Sequence, residues 1–183
     1  MKIRAFLALE LPQTVRNKLS AHTELISGRD KLQQIRWLPK ENYHLTLAFL
    51  GNMQYVLISN LQLKLEQILS SKQAVPFRFS EITPFPFSDN PKITAAILER
   101  SEELMQLQFS IVKCVHGFGI SLERRRFTPH VTLGRLKSRS RKSFAFQPLQ
   151  IFLEGVSEKV VIFQSELAPK GAVYTSLGEI SLM

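Results

Sequence analysis

Cysteine is almost missing from this chain, which carries Cys114 alone in 183 residues. One thiol excludes an internal disulfide and any multi-cysteine zinc site. Long apolar runs are missing as well. The run Ile3-Arg4-Ala5-Phe6-Leu7-Ala8-Leu9 is too short to span a bilayer, and Glu10 and Pro12 close it before a signal-peptide pattern develops. There is no HExxH pattern, no Asp/Glu cluster and no glycine-rich phosphate loop, and Gly117-Phe118-Gly119 does not extend into a dinucleotide fingerprint. These absences lead us to expect a soluble, cytoplasmic protein with no membrane segment, no resident metal and no cofactor. Acidic residues are scarce, 15 against 24 basic ones, for a formal charge of +9. Such a field concentrates a polyanion, most strongly at low salt, so RNA, DNA or a nucleotide is the natural partner class. Solubility alone is the competing reading of that charge.

What is present is enough for an ordinary core. A hydrophobic share of 44% in 183 residues suits one domain, or two small lobes sharing an interface. The phrase that organises the chain occurs twice, as Asn42-Tyr43-His44-Leu45-Thr46-Leu47-Ala48-Phe49-Leu50 and as Thr128-Pro129-His130-Val131-Thr132-Leu133-Gly134-Arg135. Side chains alternate along a strand. Strict alternation puts His44, Thr46 and Ala48 on one face, with Tyr43, Leu45, Leu47 and Phe49 on the other. The second copy puts Thr128, His130, Thr132 and Gly134 opposite Pro129, Val131 and Leu133. Each strand then hides an apolar face and presents a His-Thr pair, and the small fourth residue, Ala48 or Gly134, is expected to leave room for a ligand.

Around these phrases the pattern is mixed. Ile3 to Leu9 reads as a buried strand, followed by a helix opened by Pro12, with Val15, Leu19, His22 and Ile26 on one stripe and Gly28 as its stop. Ser27 to Lys31 reads as a turn, and Ile35 to Leu38 leads into the first His-Thr strand, which ends at Gly51. A second helix runs from Met53 to about Ser71. Gln73 to Phe87, broken by Pro76, Pro84 and Pro86, reads as an edge strand, in a hairpin with Lys92 to Leu98. Ser101 is the expected N-cap of a third helix with Leu104, Leu107, Ile111, Val112 and Val115 buried, ended by Gly117 and Gly119. Cys114 and His116 read there as a buried thiol and a helix-terminal imidazole. Lys137 to Ser143 is a basic, serine-spaced loop, solvated or touching phosphates. Strands over Ile151 to Val156, Glu158 to Glu166 and Tyr174 to Leu182 complete an α+β order, with a Pro169-Lys170-Gly171 turn between the last two.

Imidazole titrates nearest neutrality, so two facing histidines can hold one proton donor and one acceptor at the same pH. That is the equipment for in-line displacement at phosphorus without a metal, with threonine hydroxyls on the phosphoryl oxygens. A lone His-x-Thr is common by chance and is more often a hydrogen-bonded structural residue. Two copies with matched flanks are harder to dismiss.

His44-Leu45-Thr46-Leu47 and His130-Val131-Thr132-Leu133 resemble the paired HxTx motifs of the two-histidine (2H) phosphoesterases. Phe6-Leu7-Ala8-Leu9-Glu10-Leu11-Pro12, Trp37, and Phe127-Thr128-Pro129 extend the likeness to the bacterial RNA 2′,3′-cyclic phosphodiesterases, historically called 2′-5′ RNA ligases (LigT type). The resemblance implies one bilobal domain over residues 1–183, of α+β class, with two antiparallel sheets lining a central cleft and helices packed outside. It also implies hydrolysis of RNA or nucleotide 2′,3′-cyclic phosphate ends to 2′-phosphates, with 2′-5′ ligation as the reverse reaction. By the same resemblance His44 is the proton donor, His130 the acceptor, and Thr46 and Thr132 bind phosphate. Arg135 matches a basic family position, but alternation turns it away from His130, so its phosphate role requires a bulge or a strand end. Ser165 and Tyr174 match weaker positions and are not assigned to the site. A monomer is expected. The competing class is an RNA-binding module that keeps the cleft without turnover.

Overall fold

The computed structural model describes residues 1–30, 32–122, 126–137, 147–169 and 171–183. The basic run beyond Lys137 and the Lys170 position of the last turn lie outside the described residues.

The first strand, β1 (Lys2–Glu10), is followed by α1 (Gln13–Arg29), the short β2 (Ile35–Trp37), a 3-10 turn at Lys40–Asn42, and β3 (His44–Gln54). Then come α2 (Val56–Leu69), β4 (Val75–Phe85), β5 (Ile93–Leu98), α3 (Glu102–Gly117), β6 (His130–Leu136), β7 (Leu149–Ser157), β8 (Lys159–Ala168) and β9 (Gly171–Ser181). Among the described residues the strands order as β7-β4-β5-β6-β3-β1-β8-β9, with β2 beside β6, and all pairings are antiparallel. This is an α+β fold of two half-sheets, β9-β8-β1-β3 and β6-β5-β4-β7. They join through one residue pair, Leu45 with Val131. The apolar faces of both halves merge in one core that includes Leu7, Leu45, Leu47, Phe79, Val131 and Leu133. Among the described residues no helix is long and apolar enough to cross a membrane.

The third helix forms as its sequence requires. Ser101 Oγ accepts the Leu104 N–H (3.3 Å), Glu102 and Glu103 occupy the first turn, and Gly119 takes φ 71° just past the end. The first helix departs from expectation. It runs through Gly28 to Arg29, because one glycine costs a helix only about 1 kcal/mol. Asp30 ends it instead: its carboxylate accepts the Gln34 and Ile35 N–H groups, both at 3.0 Å, and so turns the chain into β2. Thr23 rather than His22 completes the buried stripe, donating to the Ser20 carbonyl (2.8 Å).

The stretch Gln73 to Phe87, read as an edge strand, is central, with β4 lying between β5 and β7. Its prolines explain themselves by register. Pro76 sits where β4 has only β7 beside it, and Pro84 lies beyond the Ile82–Leu149 pair, where only β5 remains. Each proline therefore leaves one side of the strand with no ladder bond to lose.

Candidate active site

Both histidines stand at the first residue of a strand, held in the same way. His44 follows the 3-10 turn, and its Nδ1–H donates to the Asn42 carbonyl (2.8 Å). His130 follows Pro129, and its Nδ1–H donates to the Thr128 carbonyl (2.8 Å). A carbonyl only accepts, so Nδ1 carries the hydrogen and the neutral rings leave Nε2 as a free acceptor. Two imidazoles are thus presented in one tautomer by a contact to the residue two before each.

The Leu45–Val131 pair sets their relation. One step outward in an antiparallel register, His44 stands across from Thr132 and Thr46 across from His130. The four groups therefore flank the single pair at which the two strands meet. The bridging ladder is a single pair long, which leaves this patch at the seam of the half-sheets. The positive charge that His130 can carry depresses the His44 pKa, as close neighbours would.

Beyond the threonines both strands break alternation at the same motif position. In β3 the pairing with β1 skips Leu47, between Leu7–Ala48 and Ala8–Thr46. In β6 the pairing with β5 skips Leu133, between Thr94–Gly134 and Ala95–Thr132. A bulge puts two successive residues on one side of the strand and reverses the phase after them. Leu47 and Ala48 are accordingly both buried, as are Leu133 and Gly134. The expectation that Ala48 and Gly134 leave room for a ligand is therefore corrected. Ala48 belongs to the core, and a Cβ on Gly134 would meet Ile35 Cγ2 at 2.5 Å under β2. Phe49, expected in the core, is 57% exposed on the histidine face. Arg135, expected on the far face, is exposed on the side shared by His130 and Thr132.

Aromatic rings back both imidazoles. His44 stacks on Phe6 (4.9 Å between centroids, 29°) and meets Tyr174 edge-on (5.2 Å, 89°), with Phe163 at 5.8 Å. His130 lies on Phe85 (4.5 Å, 31°). None of these rings was assigned to the site from sequence. The pairings Phe6–Phe163 and Ser165–Tyr174 place them together, and that information is not local to any one strand.

Burial among these rings disfavours imidazolium. His44 is lowered to about 4, first by desolvation, then by the charge on His130, with the Asn42 carbonyl opposing. His130 is lowered too, by desolvation against the pull of the Thr128 carbonyl. Among the described residues no three His, Cys, Asp or Glu side chains converge as metal ligands would. Cys114 lies elsewhere, in an apolar groove with Ile68, Phe109 and Phe118, where burial raises its thiol pKa. His116 is exposed near the end of α3.

A mirrored His-x-Thr face at the seam of two antiparallel half-sheets defines a two-histidine phosphoesterase. The family model described as the 2′-5′ RNA ligase superfamily matches residues 18–160, and the chain belongs to that family. It is 28% identical over 186 residues to the RNA 2′,3′-cyclic phosphodiesterase of Methanothermobacter thermautotrophicus, covering 97% of each chain. Against the protein of the same name from Thermotoga maritima it is 26% identical over 183 residues, covering 97% and 94%. Among solved structures, TT0787 of Thermus thermophilus superposes with a TM-score of 0.82 at 28% identity, covering 98% of both chains. E. coli LigT complexed with 3′-AMP gives 0.81 at 21% identity over 100% and 99%, a likeness of fold.

Proposed function

We propose that this protein hydrolyses RNA or nucleotide 2′,3′-cyclic phosphate ends to 2′-phosphates without a metal, using His44 as proton donor and His130 as acceptor. Supporting this reading above all is the mirrored presentation of two free Nε2 atoms, each fixed by a carbonyl on Nδ1, beside two threonine hydroxyls. The activity named for the relatives in M. thermautotrophicus and T. maritima agrees with it.

In the forward reaction His130 Nε2 takes a proton from water as the water oxygen bonds to phosphorus. The bond from phosphorus to O3′ breaks, its electron pair stays on O3′, and O3′ takes the proton from His44 Nε2. The product has a 3′-hydroxyl and a 2′-phosphate. Thr46 and Thr132 donate to the non-bridging oxygens, and Arg135 lends a charge from the strand beyond the bulge. Phe49 offers an exposed ring against which a base can stack.

The His44 pKa of about 4 bears on the donor role, because a donor must begin protonated. An anionic phosphodiester between the rings offsets the desolvation that keeps His44 neutral in the free protein. Substrate therefore charges its own acid, and the alkaline limb of kcat, where His44 gives up its proton, should lie at higher pH than that of kcat/KM. The direct test is incubation with a short RNA ending in a cyclic phosphate, with EDTA present. Conversion to the 2′-phosphate supports the proposal. Tight binding without turnover makes the chain an RNA-binding module, and activity abolished by EDTA and restored by a divalent ion overturns the metal-free chemistry.

A further inference from the structure

The bulge at Leu133 has a second effect, on β2. Past the bulge β6 pairs with β2 as Gly134–Trp37, Arg135–Arg36 and Leu136–Ile35. Opposed residues share a face, so Arg36 lies beside Arg135, both exposed, while Ile35, Gly134 and Leu136 are buried behind them. Like charges directly opposed on neighbouring strands are unfavourable. Nothing described neutralises them. The ion pairs among the described residues are Arg78 with Glu99 and Glu154, and Lys159 with Glu179, all on other strands. The nearest carboxylate in sequence, Asp30, is already taken by the Gln34 and Ile35 amides.

The outer flank of β2 opens on a cavity of about 550 Å³ between this strand and the end of α1. Asp30, Gln33, Ile35, Arg36, Trp37 and Lys137 line it, giving two cations, one carboxylate held by backbone amides, a side-chain amide and one aromatic ring. Its volume is that of an ordinary small-ligand site. The arginine pair thus lies on the face of Thr132, and Arg36 also lines the cavity at the free edge of β2, which Trp37 lines from the strand's other face.

We propose that the β2–β6 ribbon is a docking track for the RNA chain 5′ of the reacting end. Arg36, beside Arg135, takes a backbone phosphate of the preceding nucleotides, and the cavity that Arg36 shares with Trp37 takes a base from them. The proposal rests on the phosphodiesterase reading for the position of the reacting end. It makes Arg36 the residue that distinguishes an RNA chain from a mononucleotide.

Fluorescence anisotropy with a labelled pentanucleotide RNA ending in a 2′-phosphate, competed by the mononucleoside 2′-phosphate, tests this. The wild type should prefer the pentanucleotide. Arg36→Thr, which keeps a good strand former at an exposed site, should cut that preference about tenfold, as expected for one lost charge-assisted contact. It should also lower the slope of log affinity against log salt by roughly 0.7, the value for one single-strand phosphate. Arg36→Lys, keeping the charge without the planar fork, should keep the slope and lose only part of the affinity. An unchanged preference and slope in Arg36→Thr would overturn the proposal, and so would an equal loss on both ligands, which would place Arg36 at the terminal phosphate. Turnover of a nucleoside 2′,3′-cyclic phosphate by the wild type is measured alongside. Its absence would sink the enzymatic reading, whereas the anisotropy data would still decide the track.

Discussion

Protonating His44 should cost the folded protein stability, by an amount that the burial of its ring sets. The free imidazole titrates near 6.5, and the folded one is held to about 4. Between those values the unfolded chain binds a proton that the folded chain refuses, so stability is intact above pH 6.5 and falls as the pH drops toward 4. Linkage gives about 2 kcal/mol lost between pH 7 and pH 5 from His44 alone, with a limiting slope of about 1.4 kcal/mol per pH unit. His130, lowered in the same direction, adds to it. Urea unfolding of the wild type and of His44→Gln at both pH values isolates the term, since the variant has no imidazole to protonate at that position. The expected result is a pH 7-to-5 loss smaller by about 2 kcal/mol in the variant, with an NMR midpoint for His44 well below 6.5 in the wild type. A midpoint at or above 6.5, or equal losses in both proteins, would refute the reasoning that burial against Phe6, Phe163 and Tyr174 governs this ring. Adding a 2′-nucleotide should raise the midpoint, and the nucleotide should bind more tightly at pH 5 than at pH 7.

Further outcomes bear on the same site and on the charge of the chain. General acid or base catalysis is worth ~10²–10⁴-fold, so His44→Ala and His130→Ala should each lose about that much in kcat. An aryl ester with a leaving group of low pKa should partly rescue His44→Ala and not His130→Ala, and rescue of the opposite variant would exchange the two roles. Gly134→Ala should lower stability by about 1–3 kcal/mol in thermal or urea unfolding, because its Cβ would lie 2.5 Å from Ile35 Cγ2 and 3.1 Å from Trp37 Cε3. An unchanged unfolding midpoint would mean that β2 yields at no cost. Oligonucleotide affinity should fall with salt, and neutralising Arg139, Arg141 and Lys142 together should flatten the slope if that run meets phosphates, whereas a salt-independent affinity would leave the +9 charge as a solubility feature.

Much of this architecture is written locally. The strands carrying His44 and His130, the Ser101 cap and the stripes of α2 and α3 all depend on residues a few positions apart, and short-range periodicity reports them. Features set by distant partners were not legible in that way. Gly28 resembled a helix stop because glycine often is one, but the helix ends where Asp30 finds amides in the following turn. The prolines of β4 suggested an edge, but a strand can have an edge at each end and none in the middle. The rings around His44 come from β1, β8 and β9, and no reading of a single strand assembles them.

The shared bulge shows what the two motifs have in common and where they part. Strict alternation failed at the same step in both, after the leucine of His-x-Thr-Leu, and the small residue that follows is buried rather than open. A large side chain at Gly134 would strike β2, and Ala48 is packed in the core, so the small fourth residue serves the bulge and not a ligand. The bulge then delivers the fifth residue after each histidine to the histidine face. Those residues differ in kind, Phe49 on one half and Arg135 on the other. The equivalent backbone therefore presents a ring on the face of one imidazole and a cation on the face of the other, each five residues along its strand. The two imidazoles already sit among different rings, and Phe49 and Arg135 add a second difference between the two sides. In the proposed reaction, a nucleotide end with a base for Phe49 and a backbone phosphate for Arg135 takes one direction on this face, and that direction selects which histidine meets the departing oxygen. Exchanging the pair, Phe49→Arg together with Arg135→Phe, should therefore lower activity on RNA ends more than on a small symmetric aryl phosphodiester. Equal losses on both substrates would mean that the polarity is set elsewhere.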